Sequence, residues 1–205
     1  MRLPAHQRRR QLLEVARDVF AAGGFHTTAM DDIANAAGVT KPVLYQHFPS
    51  KRALFLELLD DIGRQLLDEL GAATGAVETG RERVEAGFEA YFRYVTGNRA
   101  AFRLIFGASV RNDPEFARIA DRVLRDAADA VSALIEIEGT EEHRRVLAHA
   151  LVGVAEATSR HALTDPDASQ DPEQLARWVS ELVWFGLRGI RAEREPAPAS
   201  GALER

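Results

Sequence analysis

One stretch constrains this chain more than any other: residues 27–54, TTAMDDIANAAGVTKPVLYQHFPSKRAL. Met30, Ile33, Ala34 and Ala37 recur at i, i+3, i+4 and i+7, the apolar face of a short helix. Gly38 supplies a turn residue free to adopt positive φ. Val39 follows as the apolar residue buried between two helices. Thr40 suits the N-cap of the next helix, and Pro42 falls in its first turn, where a missing N–H costs nothing. That helix keeps Val43, Leu44 and Phe48 for packing and leaves Lys41, Pro42, Tyr45, Gln46 and His47 as candidates to face outward. Pro49 ends it, and Ser50 caps a helix starting at Lys51. The spacing predicts a helix-turn-helix, although it also fits an ordinary corner between helices. Ammonium, hydroxyl and imidazole groups on such a helix can reach phosphate oxygens, and first-turn residues can reach base edges in a major groove.

Charge supports the first reading. The net charge is −5. Residues 1–52 carry eight Lys/Arg against four Asp/Glu, whereas the remainder carries 18 against 27. Both lysines of the chain, Lys41 and Lys51, lie inside the motif. A basic head on an acidic body presents one end to a polyanion. The triplet Arg8, Arg9 and Arg10 begins the first amphipathic helix, where it can reach a phosphate or the minor groove.

The segment GVTKPVLYQHFPSK at 38–51 resembles the recognition-helix signature of the tetracycline-repressor (TetR) family of transcriptional regulators. The resemblance covers about residues 9–60 in detail and the rest in length and helix count. It implies that Thr28, Thr40, Tyr45, His47 and Lys51 contact backbone phosphates, while Lys41, Pro42 and Val43 approach base edges. Pro42 departs from the small residue often found there. More narrowly, RLPAHQRRRQLLEVARDVF followed by KPVLYQHF is similar to actinobacterial members that respond to long-chain acyl-CoA.

Helical periodicity continues to the C-terminal region with no strand pattern or internal repeat. The expected architecture is all-α with nine helices: three in the head, one connecting, five in the body. Residues 1–52 are read as the DNA-binding domain, 53–194 as a ligand-binding and dimerisation domain, and 195–205 as a low-complexity, disordered tail. Asp113-Pro114-Glu115, Thr140-Glu141-Glu142 and Asp171-Pro172-Glu173 read as helix starts, and Asn98 as a cap. The helix opened at Asp113 is expected to reach Ile137, and the last one Arg191.

Two body features bear on function. The last two long helices mix large and small residues: Leu151, Val152, Ala155 and Ser159 on one, Trp178, Leu182, Phe185 and Gly189 on the other. Two copies of such a pair can build a four-helix interface on a two-fold axis, and a dimer reads two half-sites. Phe88, Tyr91, Phe92, Phe102, Phe106, Phe116 and Val123 form an aromatic-rich set that fills a core by default; the resemblance places a ligand cavity in this region, with Tyr91, Thr158 and His161 as polar groups near it.

The chain of 205 residues has no cysteine, which excludes disulfides and thiolate metal sites. It shows no nucleophile elbow, phosphate loop or His-Glu-x-x-His. Neither catalysis, a metal nor a cofactor is expected. The opening MRLPAHQRRR has no apolar run after its charges and no stretch is long enough to span a membrane, so the cytoplasm is the expected location. The function expected is a DNA-binding repressor acting as a homodimer on a palindromic operator. Its effector is a hydrophobic small molecule such as a fatty acyl-CoA. The alternatives are a regulator of drug efflux with a non-lipid hydrophobic ligand, and a helical protein-interaction module without DNA binding.

Overall fold

The computed structural model describes residues 4–165 and 171–189. The proposed tail 195–205 and the expected helix end at Arg191 lie outside them. Ten helices run through the described residues: α1 (Ala5–Gly23), α2 (Met30–Ala36), α3 (Lys41–His47), α4 (Lys51–Gly75), α5 (Gly80–Gly97), α6 (Arg99–Ile105), α7 (Ala108–Arg111), α8 (Pro114–Leu134), α9 (Glu141–Thr164) and α10 (Pro172–Gly189). The nine expected helices stand in the expected order; α7, a single turn between α6 and α8, is added to them.

Local chemistry sets most of the boundaries. Gly24 adopts φ 79° after α1, and Phe25 then folds back onto Phe20, Phe55 and Phe116. Ser50 Oγ accepts from Ala53 N at 3.0 Å, and Thr140 Oγ1 from His143 N at 3.1 Å. Asp113 Oδ1 accepts from the amides of Glu115 and Phe116 at the start of α8. Each satisfies amides that a helix start leaves without a partner. Asn98 behaves differently from expectation. It occupies the N-cap position of α6, but its Nδ2 donates back to Tyr94 O at 3.0 Å, so it closes α5 rather than capping α6. α8 also stops three residues early. Ile135 is extended, at ψ 108°, and the chain reaches Gly139 at φ 154°.

The core forms two clusters. One joins Leu12, Phe20, Ile33, Leu44 and Phe48 of the head and Phe55 of α4 to Leu104, Ile105, Phe116 and Val123 of α6 and α8. The other lies among α4, α5, α6, α9 and α10, around Phe88, Phe92, Val95, Val179 and Val183. α4 belongs to both, running from the head to the far end of the body. Its seam with α8 is unusually close. A Cβ on Gly63 would collide with Val123 Cγ2, so glycine is what lets the two helices meet there. Ion pairs flank the seam. Arg122 pairs with Asp60, and Arg52 holds Asp113 at 2.8 and 2.9 Å and Glu115 at 2.5 Å while its guanidinium lies 4.6 Å over the Phe116 ring.

Candidate nucleic-acid interface and ligand cavity

α2 and α3 are joined through Gly38, which adopts φ 63°; Val39 N donates to Ala34 O at 3.0 Å across the turn. Leu44 and Phe48 anchor α3 in the core, and Val39 packs against it. The outward side of α3 then carries Lys41, Pro42, Tyr45 and Gln46, with Val43 and His47 half-buried. Thr40 sits at the N-cap position but makes no cap hydrogen bond through its side chain, and it is exposed. Lys41 Nζ lies 2.9 Å from Asp31 Oδ1 on α2. That hydrogen bond, reinforced by the charge of Asp31, raises the lysine's pKa and holds the ammonium at the surface.

Three predicted contact residues sit differently. Thr28 is buried against the end of α1. Lys51 Nζ donates to the carbonyls of Phe25, His26 and Thr28 at 2.8, 3.3 and 2.8 Å and lies 4.7 Å over the Phe25 ring. Its ammonium closes the loop between α1 and α2 rather than standing free. Arg9, of the N-terminal triplet, donates from Nε to Glu57 Oε1 at 2.7 Å and from Nη1 to His47 O at 2.5 Å, stacking 4.4 Å over Phe48. It ties the C-terminus of α3 to α1 and α4, where a cation also complements the helix dipole. Backbone carbonyls and partners 38 or more residues away leave no pattern in a sequence, so neither role was visible there.

The body holds a half-open cavity of about 570 Å³ among α4, α5, α8 and α9, with Trp184 of α10 on its wall. That size lies within the usual range for small-molecule sites. Of the predicted ligand set, Phe88, Tyr91, Phe106 and Val123 line it. Phe116 does not: it is fully buried in the head-side core against Phe25 and Phe55. Phe92 and Phe102 pack in the second core cluster, Thr158 is half-buried away from the cavity, and His161 is exposed, 3.8 Å from Asp165. The sequence reading missed the far half of α4 (Leu66, Leu70) and the later turns of α8 (Ala127, Val131, Leu134). Their apolar spacing was evident; which face turned toward a hollow was not. Arg83 Nη1 meets Glu136 Oε1 at 2.6 Å at the cavity's edge, bridging α5 to the segment after α8.

The predicted dimer set divides. Leu151, Val152 and Ala155 line the cavity, and Ser159 is buried inside the protomer, so this side of α9 turns inward. Trp178, Leu182 and Phe185 on α10 are 54%, 67% and 68% exposed, and Val146 of α9, absent from the predicted set, is 60% exposed. Gly189 closes α10. Among the described residues no cluster of His, Cys, Asp or Glu could hold a metal ion, and no helix is long and apolar enough to cross a membrane.

This arrangement has counterparts. Residues 12–58 match the family described as bacterial regulatory proteins, tetR family, and residues 80–186 match the tetracyclin repressor-like C-terminal domain. The chain belongs to the TetR family. Its relatives in the family include the HTH-type transcriptional activator FasR of Mycolicibacterium smegmatis, 35% identical over 195 residues that cover 94% of this chain and 89% of FasR. The HTH-type transcriptional repressor KstR2 of Mycobacterium tuberculosis is 32% identical over 192 residues, covering 91% and 82%. Among solved structures, a TetR-like regulator from Rhodococcus sp. RHA1 superposes with a TM-score of 0.74 at 28% identity, covering 92% of this chain and all of that one. The regulator FadR of Bacillus subtilis, solved in complex with stearoyl-CoA, shares the fold with a TM-score of 0.74 at 18% identity, covering 89% and 99%.

Proposed function

We propose that the protein is a ligand-responsive, DNA-binding transcriptional regulator that acts as a homodimer on a palindromic operator, with a hydrophobic effector such as a fatty acyl-CoA held in the body. The observation that carries this reading is the shared use of α4 and α8. Both line the cavity, and both are fastened to the head, α4 by continuing from the helix-turn-helix and α8 through Arg52 and Phe116. A ligand that fits one arrangement of these helices better than another shifts DNA affinity by that difference. In this reading residues 1–52 bind DNA, with Thr40, Lys41, Pro42, Val43, Tyr45 and His47 facing the groove or its phosphates, and 53–194 bind ligand and the second subunit. Trp178, Leu182, Phe185 and Val146 form the apolar face on which the second copy packs.

The FadR complex with stearoyl-CoA, which shares this fold, supports a lipid effector. A non-lipid hydrophobe is the second reading, favoured by the cavity's edge: Asp126, Glu136 and Glu156 line it against one cation, Arg83, which suits an uncharged ligand better than an anionic one. The test is a DNA-binding titration over a range of salt with a genomic operator fragment, repeated with stearoyl-CoA. Phosphate contacts predict a steep fall of log affinity with log salt, and the lipid reading predicts an affinity change at micromolar stearoyl-CoA. A flat salt response would sink the DNA reading; a steep slope unmoved by stearoyl-CoA would turn the effector toward the non-lipid class. FasR is an activator and KstR2 a repressor, so the direction of control is read from in vitro transcription with and without ligand.

A further inference from the structure

α4 changes allegiance part-way along. Leu54, Phe55, Leu58, Leu59 and Ile62 are buried in the head-side cluster, whereas Leu66 belongs to the second cluster and is the first α4 residue on the cavity wall. The ion pairs from α4 to α8, made by Arg52 and Asp60, also lie on the head side. The change falls at Ile62–Gly63, and two features mark that point. Gly63 is buried in the middle of a helix of 25 residues, where glycine favours the helix less than any residue but proline. Tyr94 of α5, half-buried, donates its hydroxyl to Ile62 O at 3.2 Å. In an α-helix that carbonyl also serves the amide four residues on, here that of Leu66. A side chain bonding into the helix ladder is one of the few identifiable causes of bending. Burial pushes the Tyr94 phenol up to about 12, so it stays a donor throughout the neutral range. Gly63 itself meets Val123 of α8, which also lines the cavity. The cavity wall therefore touches α4 at the residue where its helix is least supported.

We propose that Ile62–Gly63 is a hinge dividing α4 into a head-side and a cavity-side segment, with Tyr94 as the positioning residue whose hydroxyl sets the hinge angle. The head-side segment moves with the helix-turn-helix and the start of α8, and the cavity-side segment moves with the wall. An occupant that displaces Val123 acts where α4 bends most easily, so α4 transmits by flexing and not by tilting as one rod. A rod has no need of glycine here: alanine at 63 opposite alanine at 123 would close the same seam with a stiffer helix.

The hinge is tested without ligand. Its link to DNA, which rests on the cavity being the effector site, is tested with stearoyl-CoA. Hydrogen exchange resolved to single amides is measured on the full-length protein. Residues 64–67 should exchange faster than the turns on either side, 56–59 and 68–71. Tyr94→Phe should speed the Leu66 amide about two- to tenfold, the effect of one neutral hydrogen bond, and leave 56–59 unchanged. Gly63→Ala is combined with Val123→Ala, because the Cβ of residue 123 lies 3.4 Å from the added carbon, an ordinary contact. Compared with Val123→Ala alone, the double variant should slow residues 64–67 about fivefold. Uniform exchange along 56–71, or a Tyr94→Phe effect spread evenly over α4 and α5, overturns the hinge. Stearoyl-CoA affinity is then measured directly on both variants, beside the shift it causes in operator affinity. The double variant should bind stearoyl-CoA as Val123→Ala does and lose most of the shift; an undiminished shift shows that α4 transmits as a rigid rod and overturns the proposal. If stearoyl-CoA leaves the operator affinity of wild type unchanged, the lipid reading falls and the exchange pattern alone decides the hinge.

Discussion

Lys41 and Lys51 are the only lysines in the chain, and they are held in opposite ways. Lys41 is tied to one exposed carboxylate, a bond that water and phosphate can replace. Lys51 is tied to three carbonyls of a loop. Replacing Lys51 with Ala should therefore destabilise the head by ~1–3 kcal/mol through the carbonyls left behind, read as a lower urea midpoint without DNA present. Asp31→Asn should do the reverse for binding: with Lys41 released and one surface carboxylate gone, operator affinity rises and the salt dependence steepens in a DNA titration. The motif's residue types were legible from spacing and chemistry. Which cation faces out and which is consumed by the backbone was not, because a carbonyl's position depends on the loop and not on the side chain it carries.

At the level of elements, caps and turns were the readable part. Ser50, Asp113 and Thr140 bond as their types predict, and Gly24 and Gly38 take the positive φ that only glycine adopts cheaply. Asn98 and the end of α8 were not readable: the Asn98 amide bonds back to the last turn of α5 instead of forward, and the residues after Leu134 line the cavity. The α4–α8 seam is the element contact with the most chemistry in it. The Arg52 guanidinium lowers the Asp113 carboxyl from 3.8 to about 2, with amides of α8 adding to the effect. Because the folded state binds its proton less readily than the unfolded state, this pair stabilises fully above the unfolded carboxylate range, near pH 4, and its contribution disappears as pH falls toward 2. Melting curves of wild type and Arg52→Gln should accordingly differ most at pH 5 to 7 and converge near pH 2. A constant gap across that range would show that Arg52 acts through its stacking on Phe116 alone.

For the whole molecule, the same mixture of large and small residues on α9 serves both an inner wall and an outer surface, and composition could not tell the two apart. Ala155 and Ser159 turned inward; Val146 turned outward. α10 packs mainly on α5 and leaves Trp178, Leu182 and Phe185 without cover in the single chain. Phe185→Glu, which adds a charge to that face without touching the core, should shift the protein toward monomer in sedimentation velocity and weaken binding to a two-half-site operator far more than to a single half-site. A final consequence belongs to the hollow in the body. A chain built around about 570 Å³ of space forgoes the contacts that would fill it. A small molecule bound there at a hundred times its dissociation constant would stabilise the folded state by about 2.7 kcal/mol. Copies synthesised while the compound is scarce would open to proteases more often than copies synthesised in its presence. Pulse-chase half-lives with and without it should differ, making the cell's stock of this protein a slow memory of past supply.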